Sequence, residues 1–580
     1  MAAASNDVSS GQDTLPKWKV ALAVGGGVAL VAGGIWYYNR RKGNSKNTKP
    51  ENGKNTRSEN PSQSASPPET PQTELSPLEQ AQAEKNKGNK YFKGGRYDQA
   101  IQCYTKAIKI CPSGNNQDLS TFYQNRAAAY EKLKSFKLVV EDCSMALELN
   151  RKYTKAYARR ANACEQTGYL GQALEDVTAL CILEGFANPM SLQTADRLLK
   201  TLGQTKAKQS FKERKPGMPS KHYIRTYRAS FMNDPVLNAV RDLDETQVQN
   251  GGADIPDMSS PYYIALRKLK SEEYDDIISL CTQEIESTKS VEARLLRGTF
   301  YYLICLIDKA IEDFDVILSE EKLDKKVHVN VLIKKGTILM QQEKNTEGLD
   351  HFAKAVRIDP DNADIYHHRG HHNIQLDRLD EAIRDLENSI SKCPAFAASH
   401  VQKSFAEHKK AAAGLAGTSL PLPQTVLISY KQNVDMFPDY SDARALYAQA
   451  LGDAGKFDEA DREFEKAIEL DADNSTAFVH RGLLRLQWKQ DVNDAMSMIN
   501  KAIDMDSKCE YAYEVLGTLE VQRGNMDKAM EYFERAIGLA RTESEMAHLY
   551  SLLDAAKAQL QVAKNLGIQM PSAIGSQVPM

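Results

Sequence analysis

One spacing recurs along most of this chain with a period of about 34 residues. It opens with Lys85, Gly88 and Asn89, followed by Tyr97, Ala100, Tyr104, Ala107 and Pro112. Gly298, Ala310 and Phe314 stand in the same register, as do Gly336, Phe352, Ala355 and Pro360. Ala448, Ala460, Phe464 and Ala467 repeat it, and then Gly517, Ala529, Phe533 and Ala536. The small residues let two paired helices approach closely, and the aromatics fill the gap to the next pair. One such unit cannot bury its apolar face alone, so units stack into a superhelical solenoid with a concave groove. The fold class expected is all-α.

This pattern resembles the tetratricopeptide repeat. The charge balance argues against a nucleic-acid binder: 74 Lys and Arg against 77 Asp and Glu leave −3, whereas such affinity rests on excess basic charge. The nine cysteines are scattered and odd in number, with no C-x-x-C pair. Cys143 and Cys281 hold the register normally given to the core aromatic, and read as buried reduced thiols of a cytosolic domain. There is no P-loop, H-E-x-x-H or G-x-S-x-G, so no catalytic residue, cofactor or enzyme activity is expected.

The chain divides by composition. Residues 1–19 are a short polar tail. Val20 to Tyr38 carries no charge and is just long enough for a single transmembrane helix, which needs roughly 17–25 residues. Trp18, Trp36, Tyr37 and Tyr38 sit at its ends as interfacial aromatics. Arg40, Arg41, Lys42, Lys46, Lys49, Lys54 and Arg57 follow it, against Lys17 and Lys19 before it. That bias keeps the C-terminal side in the cytosol and disfavours a cleaved signal peptide. Ala21, Gly25, Ala29 and Gly33 form a small-residue stripe of the kind that favours helix association, although a poorly optimised span explains it as simply. Residues 39–78 read as a flexible basic and polar tether. Three repeats and a long helix with a basic end occupy 79–215. The prolines and glycines of 216–257 read as a linker. Repeats resume over 258–567, with an extended loop at 414–423 and an amphipathic capping helix at Met546 to Asn565; 568–580 is a tail.

The first three repeats carry a sharper constellation. Lys85 and Asn89 lie four apart on one helix, Asn125 lies on the next first helix, and Lys155 and Arg159 lie four apart on the third. Residues four apart share a helix face, and the first helix of every repeat lines the concave side. Three cations and two amides then form a cradle for two carboxylates, such as a C-terminal carboxylate beside an acidic side chain. The plainer reading is a solvated helix face; five residues at converging positions favour the cradle. His367, His368, His371 and His372 have metal-compatible spacing, but no Cys or carboxylate partner of clear geometry joins them, and no metal is expected.

KNKGN at 85–89, YQNRAAAY at 123–130 and KAYARR at 155–160 resemble the dicarboxylate-clamp repeats that bind acidic C-terminal tails of the seventy- and ninety-kilodalton heat-shock chaperones. The resemblance implies clamp roles for Lys85, Asn89, Asn125, Lys155 and Arg159. With DNADIYHHRG at 361–370 and LLRLQWKQD at 483–491, the chain over about 79–567 is similar to the tetratricopeptide-repeat import receptor family of the mitochondrial outer membrane. That family implies docking of a chaperone that delivers a hydrophobic precursor, and a second groove that receives the precursor's internal targeting segments. It also implies other outer-membrane translocase subunits as partners. Transferring the clamp positions to later repeats selects Leu295, Leu296, Ile333, Met340, His367, His371, Ile374, Leu483 and Leu486 as that groove's wall; packing between repeats is the plainer alternative. A tetratricopeptide co-chaperone anchored in another organelle, such as the endoplasmic reticulum, would share the clamp but not the short Gly-rich span with its basic flank. A repeat-docked enzyme would need a catalytic domain, for which no stretch remains.

Overall fold

The computed structural model describes residues 75–246, 259–415 and 422–568. The expected tail 1–19, the membrane span Val20 to Tyr38, the tether as far as residue 74, residues 416–421 of the extended loop and the tail beyond 568 lie outside the described residues. No helix among the described residues is long and apolar enough to cross a membrane.

Every regular element described is a helix. The N-terminal repeats are α1 (Pro77–Lys93), α2 (Tyr97–Ile110), α3 (Asn116–Lys132), α4 (Phe136–Leu149), α5 (Thr154–Gln166) and α6 (Leu170–Leu183), followed by the long α7 (Pro189–Glu213). Next come α8 (Lys221–Ala229), α9 (Pro235–Thr246), α10 (Pro261–Lys270), α11 (Ile277–Thr288), α12 (Val291–Leu303), α13 (Ile307–Leu318), α14 (Lys325–Gln341) and α15 (Asn345–Ile358). The chain continues through α16 (Ala363–Gln375), α17 (Leu379–Lys392), α18 (Ala397–Gly414), α19 (Gln424–Met436), α20 (Ser441–Asp453) and α21 (Phe457–Leu470). It closes with α22 (Ser475–Lys489), α23 (Val492–Met505), α24 (Glu510–Arg523), α25 (Met526–Leu539) and α26 (Glu543–Leu566). Short connections make neighbouring helices antiparallel pairs. The first pair starts on a capping box, Ser76 with Glu79, with Pro at N1.

The repeat spacing has a steric cause. A Cβ on Gly88 would meet the buried Tyr104 ring at 2.7 Å, and one on Gly298 would meet Phe314 at 2.8 Å. The aromatic therefore lies flat on helix backbone, and only a residue with little or no side chain fits beneath it. A second device joins the two helices within a pair. Arg126 binds Asp142, Arg160 binds Asp176, Arg297 binds Asp313 and Arg369 binds Asp385, each across a 16-residue interval with Nε and Nη2 both engaged. The sequence reading did not use this interval, although it is visible there. Cys143 and Cys281 are fully buried among apolar side chains, and burial pushes both thiols up to about 12.

The described residues form two compact units. One holds 75–208 with 520–533 and 547–568; the other holds 209–246, 259–415, 422–519 and 534–546. In the first unit, Ala555, Ala558 and Val562 of α26 complete the cores of α4 to α7. Ser551 Oγ donates to the Leu199 carbonyl at 3.0 Å, and Lys206 Nζ meets Asp554 Oδ1 at 2.6 Å. Gly203 permits the approach, since a Cβ there would lie 2.3 Å from the Ala547 carbonyl oxygen. The helix expected to cap the C-terminal repeats thus packs, from 547 onward, in the N-terminal unit. Complementarity between α7 and α26, distant in sequence, decides this.

In the second unit, the stretch read as a linker carries α8 and α9. Its prolines mark helix starts: Ser220 caps α8 directly after Pro219, and Pro235 follows the capping Asp234. Ile224, Val236, Val240 and Leu243 enter the core with Leu266, Leu296 and Phe300. Arg225 reaches Asp473 at 2.9 Å, and His222 Nδ1 lies 3.0 Å from Asp471 Oδ2.

Candidate functional site

The five residues expected to form a clamp, Lys85, Asn89, Asn125, Lys155 and Arg159, lie in the first unit on α1, α3 and α5. Asn89 and Asn125 come together: Asn125 Nδ2 donates to Asn89 Oδ1 at 3.4 Å. The Tyr104 hydroxyl donates to the same oxygen at 2.8 Å. Burial pushes that phenol up to about 12, so it stays a donor. The Asn89 oxygen is thus committed to the protein. The aromatic that defines the repeat thereby also orients an amide of the site.

Arg159 Nε donates to Glu131 Oε2 at 2.8 Å, and its Nη1 reaches the Gln124 carbonyl at 3.4 Å. Gln124 Nε2 donates to the Lys155 carbonyl at 3.2 Å, which ties α3 to α5 at this point. Lys85 is half-buried and Lys155 exposed, and neither has an ion-pair partner among the described residues. The neighbouring arginines have different surroundings. Arg160 spends its donors on Asp176, which is 1% exposed, and on Ser144, so it is structural. Sequence reasoning did not find Glu131 or Gln124, because nothing in the motif spacing marks them.

The second expected site needs correction. Leu295, Leu296, Ile333, Met340, Ile374 and Leu483 are buried in the core rather than on a concave wall. Leu486 is half-buried and does not line the cavity described next. The physical reason lies in α8 and α9, which cover the concave positions of the first C-terminal repeats, Leu296 among them. A cavity of about 530 Å³ lies beside α8, and His367 and His371 do line it. So do His368, His372, Gln341, Gln375, Gln402 and the buried Lys334, with Tyr223 and Tyr227 of α8 opposite. Val401, Leu446 and Phe231 also line it, so the wall mixes imidazole and amide groups with apolar side chains. Burial holds His367 down at about 3 and His372 at about 4, so the imidazoles are neutral at physiological pH. Among the described residues no three His, Cys, Asp or Glu form a metal-holding group.

Two carboxylates fasten the α8–α9 corner beside this cavity. Asp234 Oδ2 meets Lys334 Nζ at 2.8 Å, with Asn330 donating to the same oxygen. Burial alone would raise the Asp234 carboxyl; Lys334 and the donors around it outweigh burial and hold it below the usual range. Asp364 accepts the Met232 and Asn233 backbone N–H groups, both at 2.8 Å. Burial pushes Asp364 up to about 6 despite those bonds. A carboxyl raised on folding adds stability below its unfolded value near 3.8, lost as pH rises through about 6. The wild type is therefore expected to gain stability relative to Asp364→Asn as pH falls from 7 to 4. Denaturant titrations at each pH check this, and a difference independent of pH would refute it.

Residues 81–113, 441–474 and 511–543 match the tetratricopeptide repeat family. The chain is 45% identical over 585 residues to the mitochondrial import receptor subunit TOM70 of Rattus norvegicus, covering 97% of this chain and 94% of that protein. The subunit of Homo sapiens is 45% identical over 581 residues, covering 96% and 94%. The chain belongs to the TOM70 family of mitochondrial import receptors. This is a family of receptors, not enzymes. The crystal structure of yeast Tom70 is 23% identical, covers 83% of this chain and 96% of that one, and gives a TM-score of 0.45.

Proposed function

We propose that this receptor is anchored in the mitochondrial outer membrane by Val20 to Tyr38 with its repeats in the cytosol. Its N-terminal repeats dock the acidic C-terminal tails of seventy- and ninety-kilodalton heat-shock chaperones. Its C-terminal unit accepts hydrophobic precursors with internal targeting signals, which pass on to other subunits of the translocase. The cavity beside α8 is the space in that unit offered to a precursor segment.

The observation that carries the reading is the state of the clamp. Lys85 and Lys155 are cations without ion-pair partners among the described residues, on the helices that, with α3, also carry Asn89, Asn125 and Arg159. A C-terminal carboxylate beside an acidic side chain supplies the two anions such a face lacks. The test is a titration of the full chain, held in detergent micelles, with a labelled chaperone-tail peptide. The free-acid peptide is expected to bind, and its C-terminally amidated form to bind roughly tenfold or more weakly, since one charge-assisted contact is lost. Equal affinity for the two forms would overturn the clamp.

A further inference from the structure

We propose that Glu131 is a positioning residue of the clamp, holding Arg159 by its Nε edge so that the Nη2 end faces an incoming tail carboxylate. The proposal rests on the clamp reading above. A guanidinium has five N–H donors in a rigid fork. In Arg126 and Arg160 the fork is committed on every side: to Asp142 and the Thr105 hydroxyl, and to Asp176 and the Ser144 hydroxyl. Arg159 is different. Its Nε is bound to Glu131 and one Nη1 hydrogen to the Gln124 carbonyl, while no hydrogen bond among the described residues engages Nη2. The committed edge is the one that a bidentate carboxylate at the Nη1–Nη2 end does not need.

Glu131 is itself held. Its Oε1 accepts from Asn162 Nδ2 at 3.0 Å while Oε2 accepts from Arg159. Asn162 and Arg159 are one turn apart on α5, so the carboxylate at the end of α3 grips the α5 face at two points. The two side chains of the pair keep 23% and 27% of their surface exposed. A pair so placed adds little to stability. Its consequence falls on binding: an arginine already held in one rotamer does not have to be ordered when the tail arrives. The Glu131 charge also repels an acidic tail, so the residue has two effects of opposite sign. Glutamine keeps the acceptor and removes the charge; alanine removes both.

The experiment titrates the full chain, in detergent micelles, with the labelled chaperone-tail peptide as free acid and as amide. Glu131→Ala is expected to bind the free acid roughly two- to tenfold more weakly, the range for ordering one long side chain at an interface. Its preference for free acid over amide should shrink in step, which a purely structural loss would not produce. Glu131→Gln is expected to bind as tightly as wild type or tighter. If Glu131→Ala melts below wild type, Asn162→Ala, which loosens Glu131 without touching the charge, takes its place with the same expected sign. Tighter binding by both Glu131 variants would make the residue a mere competing anion and overturn the proposal, as would unchanged affinity in Glu131→Ala. Failure of the wild type to bind the free acid would overturn the clamp reading itself, and this proposal with it.

Discussion

Arg159→Ala is expected to weaken binding of the chaperone tail roughly tenfold to a hundredfold, the worth of one charge-assisted hydrogen-bonded contact. Helix content should barely change and thermal stability should fall only slightly, because the bond given up is a partly exposed pair with Glu131, whose two side chains keep 23% and 27% of their surface in solvent. The adjacent residue provides the contrast. Arg160→Ala strands Asp176, 1% exposed, without its cation, and should cost about 3–5 kcal/mol of stability. Neighbouring arginines should therefore fail in different assays, one in peptide titration and the other in thermal melting. Salt sharpens the distinction, since raising ionic strength should weaken wild-type tail binding more than that of Arg159→Ala. A tail affinity unchanged by Arg159→Ala would mean that this side chain does not touch the tail.

Asp234→Ala is expected to destabilise the C-terminal unit by about 3–5 kcal/mol, because it leaves Lys334 as a buried charge without its partner. Lys334 is 1% exposed as a side chain, and its remaining partners are the Thr299 hydroxyl at 3.0 Å and the Phe231 ring, 5.3 Å from Nζ to the centroid. Asp234 also caps α9 through the Val236 and Leu237 N–H groups, so the cap is lost together with the pair. The effect should concentrate where the corner between α8 and α9 meets α14, and hydrogen exchange should rise first in 221–246. Replacing both partners by apolar residues, Asp234→Leu with Lys334→Met, should restore much of the loss, since a buried pair often does no better than a hydrophobic substitute. Denaturant unfolding of the single and double variants measures this. A loss below about 1 kcal/mol in Asp234→Ala would show that water reaches Lys334.

How each feature could be read depends on how far apart its determinants lie in the chain. The repeat follows from contacts within one helical hairpin, Gly88 under Tyr104 and Gly298 under Phe314, so local spacing was enough to predict it. The proposed clamp is likewise drawn from local registers, since each of its residues sits on the first helix of a repeat. The supports of Arg159 are different. Glu131 and Gln124 reach it from α3 across 28 and 35 residues, and no helical period points at either.

The C-terminal groove marks the boundary most clearly. Carrying the clamp register forward selected Leu295, Leu296 and Ile333 as an exposed apolar wall, and all three are buried. The register places a side chain on a helix face; it does not say what covers that face. Here the cover is α8 and α9, a stretch whose prolines look like breaks until Ser220 and Asp234 are seen to cap helices behind them. The same holds for α26, which joins the N-terminal unit from 547 onward because Gly203 and Ser551 allow two distant helices to touch. Periodic apolar and small residues thus determined, by themselves, that this chain is a helical repeat protein. Only the tertiary structure decided which faces stay open, because that depends on the fit between segments tens to hundreds of residues apart, and such fit has no local periodicity to read.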